Sequence, residues 1–376
     1  MLLGLNSMIK YSTMTVVIVG AGLSGCVLAE QCAAAGKHVI IVEKRDHIAG
    51  NCYDYINEKG ILMSKYGPHF FHTSSERVWS YVQRFAEWVP YKARVVGTYK
   101  GVSFPVPVNI TTVNRLLGQD IKTEEEMRSF MKTQQRLVEP INSEEVALSR
   151  VGPDLYEMIF RGYTKKQWSC EPALLDPSVL ARIPVRYTFE DGYFSDVYQA
   201  LPKRGYTEFC KSIIANPLIE VRLSTDYRAA DFPDAEQVFY TGPIDLYFKD
   251  RGYPALEYRS LRFDIEECDE DFYQENVVVN YTDELVPWTR ICEYKHILNQ
   301  QARGTTIVKE FPSTVGEPYY PIPNRRNTDL YETYRKMALE EEKKGVYFVG
   351  RLANYKYFNM DQAIENALDV FQNVLF

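Results

Sequence analysis

Six residues near the N-terminus constrain this chain more than any others: Gly20-Ala21-Gly22-Leu23-Ser24-Gly25, directly after the β-branched run TVVIV at 15–19. A run of strand type that stops in glycine and hands over to small and apolar residues at helical spacing (23–35) predicts strand, tight turn and helix. After Gly36, residues 38–43 (HVIIVE) read as a second buried strand, so the segment forms one βαβ unit with a parallel strand pair. Gly20 permits the turn, Gly22 lets a pyrophosphate approach the backbone, and Gly25 lets helix and strand pack closely, which places an anion on the helix N-terminus. Glu43 ends the second strand, where it can accept hydrogen bonds from ribose hydroxyls. A glycine turn of purely structural purpose is the competing reading; strand, loop, helix and acid in register favour a dinucleotide.

Composition bounds the rest. The 376 residues are 45% hydrophobic and 25% charged, which excludes disorder and collagen and predicts two or three packed units. Lys plus Arg is 43 against 50 for Asp plus Glu, a net charge of −7, so nucleic acid and anionic lipid are not expected partners. An anionic ligand needs a local basic cluster. Seven cysteines without a CxxC pair argue against a disulfide framework and a zinc site, and for a reducing, cytoplasmic setting. His69 and His72 lack a nearby third Cys or His ligand, so no metal is expected. MLLGLNSMIKYSTM reads as neither signal peptide nor membrane anchor, with Met8 and Met14 as alternative starts, and no membrane span is expected. The 28 tyrosines point to a phenol-rich core or cleft.

Along the chain, 50–72 is turn-rich and reads as a site-lining segment. From about 109 the texture is helical: Thr123 with Glu126 makes a capping box, Asn142 with Glu145 resembles one, and Pro153 suits a first turn. Residues 183–194, 218–223, 236–241, 258–265, 275–282 and 304–311 read as strands, several of them aromatic and alternating, which together suggest a second, mainly antiparallel sheet. Residues 345–350 return as a strand to the first sheet, and 362–375 carry an apolar helical face. The expected organisation is α/β: a discontinuous dinucleotide-binding domain (14–105, 218–242, 345–376), a helical insertion (106–175), and an antiparallel β-sheet substrate domain (176–217, 243–344).

Two resemblances sharpen this reading. Glu43-Lys44-Arg45 followed by Ile48-Ala49-Gly50-Asn51, with Gly350-Arg351 before the closing helix, resembles flavoproteins of the glutathione-reductase fold and implies FAD in a Rossmann-like domain; no second GxGxxG provides for a nicotinamide. The ordered motifs Tyr66-Gly-Pro-His69-Phe-Phe-His72-Thr73, Gly162-Tyr163-Thr-Lys-Lys-Gln-Trp168, Ala181-Arg182-Ile-Pro-Val-Arg186, Pro202-Lys-Arg-Gly-Tyr-Thr207, Val286-Pro-Trp-Thr-Arg290, Tyr319-Tyr320-Pro-Ile and Gly350-Arg351-Leu are similar to those of the UDP-galactopyranose mutases, from about Thr15 to the C-terminal helix.

That resemblance implies an isomerase interconverting UDP-galactopyranose and UDP-galactofuranose with no net redox: N5 of reduced FAD displaces UDP from the anomeric carbon, and the covalent adduct lets the sugar reclose through another hydroxyl. It implies a diphosphate clamp of Arg182 and Arg290, substrate contacts from Tyr163, Trp168, Tyr193, Tyr320 and Tyr357, a mobile lid from Trp168 to Arg182, and His72 beside the flavin with His69 close by. The implied cofactor set is Gly20, Gly22, Leu23, Ser24, Gly25, Glu43, Lys44, Arg45, Gly50, Asn51, His69, His72, Val221, Gly350, Arg351, Asn359 and Met360; a homodimer is the family expectation. Two positions depart from the pattern. Asn359 stands where the family usually has aspartate, with Asp361 two residues on, and Trp288 stands where Tyr or Phe is commoner. The alternatives are an FAD-dependent oxidoreductase of the amine-oxidase type and a non-catalytic binding protein like the Rab GDP-dissociation inhibitors.

Overall fold

The computed structural model describes residues 15–136, 139–181 and 183–375; the expectations for the first fourteen residues and for Arg182 lie outside them. Thr15–Val19 is the middle of a five-stranded sheet, flanked by His38–Val42 and Ala235–Tyr240, with Ile219–Arg222 and Val346–Phe348 at the edges, every pair parallel. Val16, Ile18, Val39, Ile41 and Phe239 point into a core shared with the helices Leu23–Ala34, Gly205–Ile213 and Met360–Leu375. Val17, Ile40, Val42 and Val238 cluster on the opposite face. Burial on both faces explains why these strands read as unbroken β-branched runs rather than alternating ones.

A second sheet has seven strands, in the order Tyr320–Pro321, Tyr258–Cys268, Thr305–Ser313, Arg290–Glu293, Val278–Tyr281, Val95–Tyr99 and Val102–Val106; only the Val278–Tyr281 and Val95–Tyr99 pair is parallel. Its core, including Phe104, Met127, Leu155 and Val308, is shared with the helices Ile110–Leu117, Glu124–Gln134, Ser143–Leu155 and Gly162–Trp168. The caps work as the residue types suggest. The Thr123 hydroxyl accepts from Glu126 N while the Glu126 carboxylate accepts from Thr123 N. The Asn142 side chain accepts from Glu145 N, and the Glu145 carboxylate reaches back to Ile141 N. Gly152, at φ +79°, breaks the helical path so that Pro153 opens the next turn.

Several segments sit elsewhere than chain order suggests. The hairpin 95–106, expected with the first unit, hydrogen-bonds into the second sheet. Tyr198–Pro202, expected with the substrate unit, pairs with Phe71–Thr73 and Trp88–Pro90, and the helix Gly205–Ile213 after it fills the first core. Residues 183–194 are a loop rather than a strand: the guanidinium of Arg186 donates to the carbonyls of Gly192 and Phe194, bending the chain back on itself. The longest helix, Arg325–Glu342, was not foreseen, because it buries only Asn327, Tyr334 and Ala338 and its polar surface hides the helical period.

Candidate active site

A cavity of about 920 Å³ opens along the C-terminal ends of the first sheet and runs from the glycine loop to Arg351 and His69. That is the upper end of small-molecule pockets, roughly 300–1,000 Å³. Gly20 adopts φ +103°, and a Cβ there would lie 2.2 Å from the Thr241 hydroxyl. A Cβ on Gly25 would lie 1.9 Å from the Gly20 carbonyl oxygen, so Gly25 serves helix–loop packing behind the cavity, whereas Gly20, Gly22, Leu23 and Ser24 line it. The helix Leu23–Ala34 has no side-chain cap at its N-terminus, which faces the cavity and offers amides to an anion. Buried Glu43 accepts from Ala21 N and Arg45 N, both at 2.8 Å, which ties the acid to the loop; a carboxylate has about four acceptor sites, so capacity remains for ribose hydroxyls. Lys44, Arg45, Gly50 and Asn51 continue the wall, with the Arg45 guanidinium donating to the Asn51 side-chain Oδ1 and Lys44 paired to Glu317. These features fit the pyrophosphate and ribose of a dinucleotide.

At the other end, Gly350, Arg351, Asn359 and Met360 line the cavity with His69. Both Nε and Nη2 of Arg351 donate to the Phe358 carbonyl, and the guanidinium lies over the rings of Tyr320 and Tyr357, which stack 5.3 Å apart. His69 Nδ1 is 2.9 Å from the Gly67 carbonyl. A carbonyl only accepts, so Nδ1 bears the hydrogen; burial, aided by the Arg351 charge, lowers the ring to about 4. His69 is therefore neutral near pH 7, with an acceptor at Nε2.

Beyond His69 lies Arg290, whose Nε donates to Glu310 Oε2 at 2.6 Å. Burial works against its charge, but the buried Glu310 carboxylate outweighs this and holds the guanidinium well above the ordinary arginine range. Arg290 acts electrostatically on Tyr163, Tyr320 and His69, and Tyr193 on Tyr163, which gathers these side chains into one cluster. Burial pushes the Tyr320 phenol up to about 12 and raises Tyr163 as well, so both remain protonated donors at neutral pH.

Other candidates lie elsewhere. His72 does not line the cavity: it stacks on Phe194 at 3.6 Å and its Nδ1 contacts Asp196 Oδ2 at 2.9 Å. Its strand, Phe71–Thr73, is committed to pairing with Tyr198–Pro202, which fixes the ring on the side of Phe194 and Asp196. Val221 sits in an edge strand opposite Ile41, and the wall beyond it comes instead from Thr225 to Arg228. Trp168 is buried in the second core. Asp361 does not replace Asn359; burial raises its pKa, and it faces Thr73 and His72. Glu310 escaped the sequence reading altogether. So did Thr241-Gly242-Pro243 in the cavity wall, although a Gly-Pro turn straight after a strand was a readable signal. Among the described residues, no group of three or more His, Cys, Asp or Glu is placed to hold a metal ion, and no helix is long and apolar enough to cross a membrane.

A family model described as UDP-galactopyranose mutase matches residues 158–357, more than half of the chain. The chain belongs to the UDP-galactopyranose mutase family. Its members by name are isomerases, and this chain is one of them. A second model, an NAD(P)-binding Rossmann-like domain, matches 18–85. A probable UDP-galactopyranose mutase of Klebsiella pneumoniae is 40% identical, with 94% of this chain and 92% of that protein covered. A dTDP-fucopyranose mutase of Escherichia coli is 37% identical, with 95% and 97% covered. A UDP-galactopyranose mutase of Mycoplasma genitalium is 34% identical, with 100% and 98% covered. Among solved structures, a reduced UDP-galactopyranose mutase superposes with a TM-score of 0.77 at 16% identity, covering 96% of this chain and 94% of that one. A putative protoporphyrinogen oxidase of Exiguobacterium gives 0.67 at 12% identity, with 96% and 99% covered, a likeness of fold alone.

Proposed function

We propose that this isomerase interconverts UDP-galactopyranose and UDP-galactofuranose with FAD in its reduced state. The observation that carries the proposal is the placement of a partly buried, carboxylate-anchored Arg290 among protonated tyrosines beside the Arg351 and His69 end of a dinucleotide-sized cavity. Reduced FAD, when bound, supplies an electron pair for the anomeric carbon, so the reaction needs no net oxidant. The amides at the start of Leu23–Ala34 hold its pyrophosphate and Glu43 its ribose. Arg290, with Nε held by Glu310, turns its remaining N–H groups to the sugar nucleotide's diphosphate and offsets the charge that grows on departing UDP. Tyr163, Tyr193, Tyr320 and Tyr357 add hydrogen bonds to phosphate or sugar. Arg182 keeps the second place in the clamp that the family resemblance gives it. The position beside the flavin ring goes to His69 rather than His72, since a neutral imidazole there accepts a hydrogen bond without adding charge. A homodimer in the cytoplasm is part of the proposal, supported by the resemblance and by seven free cysteines.

The E. coli relative acts by name on a dTDP-fucose, so the test compares both nucleotide sugars. The flavin-loaded protein, reduced with dithionite, is incubated with the furanose form of UDP-galactose or of dTDP-fucose. The expected result is UDP-galactopyranose, with turnover lost on reoxidation. Conversion of the dTDP sugar alone overturns the substrate assignment. Conversion of neither, with oxygen consumed in the presence of an amine, favours the oxidase reading instead.

A further inference from the structure

The turn between Val278–Tyr281 and Arg290–Glu293 folds around one cation. Lys166 Nζ lies 2.7 Å from the carbonyl oxygen of Tyr281, 2.8 Å from that of Asp283, and 3.0 Å from those of Val286 and Trp288. An ammonium has three hydrogens to donate and no acceptor, so the four carbonyls share them and converge on one point. Burial lowers Lys166 to about 8 and the nearby acids Asp283 and Glu284 oppose that fall, so it is a cation at neutral pH.

Lys166 belongs to the helix Gly162–Trp168, three residues after Tyr163, and that helix docks on the same turn by other contacts too. A Cβ on Gly162 would lie 2.4 Å from the Thr282 carbonyl oxygen, so only glycine permits this approach. The Thr282 hydroxyl donates to the Met158 carbonyl at 2.6 Å, and Lys165 bridges Glu284 and Glu171. The turn ends at Trp288, two residues before Arg290, whose side chain is held separately by Glu310. Glu310 thus fixes the guanidinium, while the backbone that carries it is held from the Tyr163 helix.

We infer that Lys166 is a positioning residue: its ammonium, ringed by the carbonyls of Tyr281, Asp283, Val286 and Trp288, locks the Tyr163 helix to the Arg290 turn and holds both side chains in one diphosphate-binding geometry. The inference rests on the proposed function. Lys166→Met keeps the length of the side chain and strands the carbonyls. Its expected effect is a loss of kcat/KM on the order of a hundredfold, the cost of an ångström-scale misplacement, with weaker UDP binding to the oxidised protein and bound flavin retained. In Lys166→Ala, methylammonium should enter the ring and restore part of the loss. Wild-type protein that binds no UDP removes the functional reading itself. Wild-type protein that binds UDP, beside a Lys166→Met variant that binds it equally tightly, overturns the clamp alone. A lowered unfolding midpoint with unchanged UDP affinity also overturns it, as does failure of methylammonium to restore activity. Should Lys166→Met not fold, Lys166→Arg carries the test, because a planar fork cannot serve four converging carbonyls: wild-type UDP affinity and kcat/KM in that variant overturn the inference.

Discussion

The glycine-loop wall of the cavity comes from one contiguous stretch, 19–52, whereas the Arg290 cluster beside the cavity's Arg351 and His69 end is assembled from side chains on segments around 69, 163, 290 and 320. In the first, ligand-facing groups are amides whose direction follows from the turn and the helix start. In the second, each functional group needs a tertiary partner to hold it: Glu310 for Arg290, Gly67 for His69, the Phe358 carbonyl for Arg351. A site of the first kind is sensitive to a single added methyl group. A site of the second kind fails through loss of its supports.

Five experiments probe that contrast, from the largest expected effect to the smallest. Gly25→Val forces a side chain against the Gly20 carbonyl at 1.9 Å and should yield protein without bound flavin, read by visible absorbance; a yellow, active variant would show that the loop tolerates what its packing forbids. Glu310→Gln leaves the partly buried Arg290 without its counter-charge and should cost up to about 3 kcal/mol in urea unfolding, with Arg290 no longer aimed. Arg290→Lys keeps the charge but loses the fork, and kcat/KM should fall by about 10²–10³ while flavin stays bound, which separates the Arg290 cluster functionally from the glycine-loop cavity. His69 adds a pH dependence. The folded protein holds it at about 4 against 6.5 in the open chain, so the unfolded state binds more protons between those values. Stability should therefore drop as pH falls from about 6.5 towards about 4, and His69→Gln should flatten that slope in urea titrations. By contrast Lys44→Ala, which breaks an exposed pair with Glu317, should change stability by no more than about 1 kcal/mol.

The contrast also sets what could be read in advance. The parallel pair, the glycine turn and Glu43 were legible because strand period, turn chemistry and helix start are local signals, each checked within thirty residues of its neighbours. The resemblance named Arg290, Tyr163, Tyr320 and Arg351 as site candidates, and the fold gathers them near one another, but residue order alone could not say which of His69 and His72 faces the cavity. That depends on the pairing of Phe71–Thr73 with a strand more than a hundred residues away. Glu310 was missed for a similar reason: it looks like one more surface acid in a strand of Thr, Ile and Val until Arg290 and Gly67 close over it.

Taken by itself, the sequence determined the βαβ unit, its glycine turn and the family to which the chain belongs, because those features are written in contiguous residues or ordered motifs. Tertiary structure alone decided that the hairpin 95–106 joins the second sheet, that His69 and not His72 borders the cavity, and that Lys166 and Glu310 secure the Arg290 end. Strand register and burial come from contacts between residues far apart in the chain, and a carbonyl ring or a buried ion pair exists only once those segments meet.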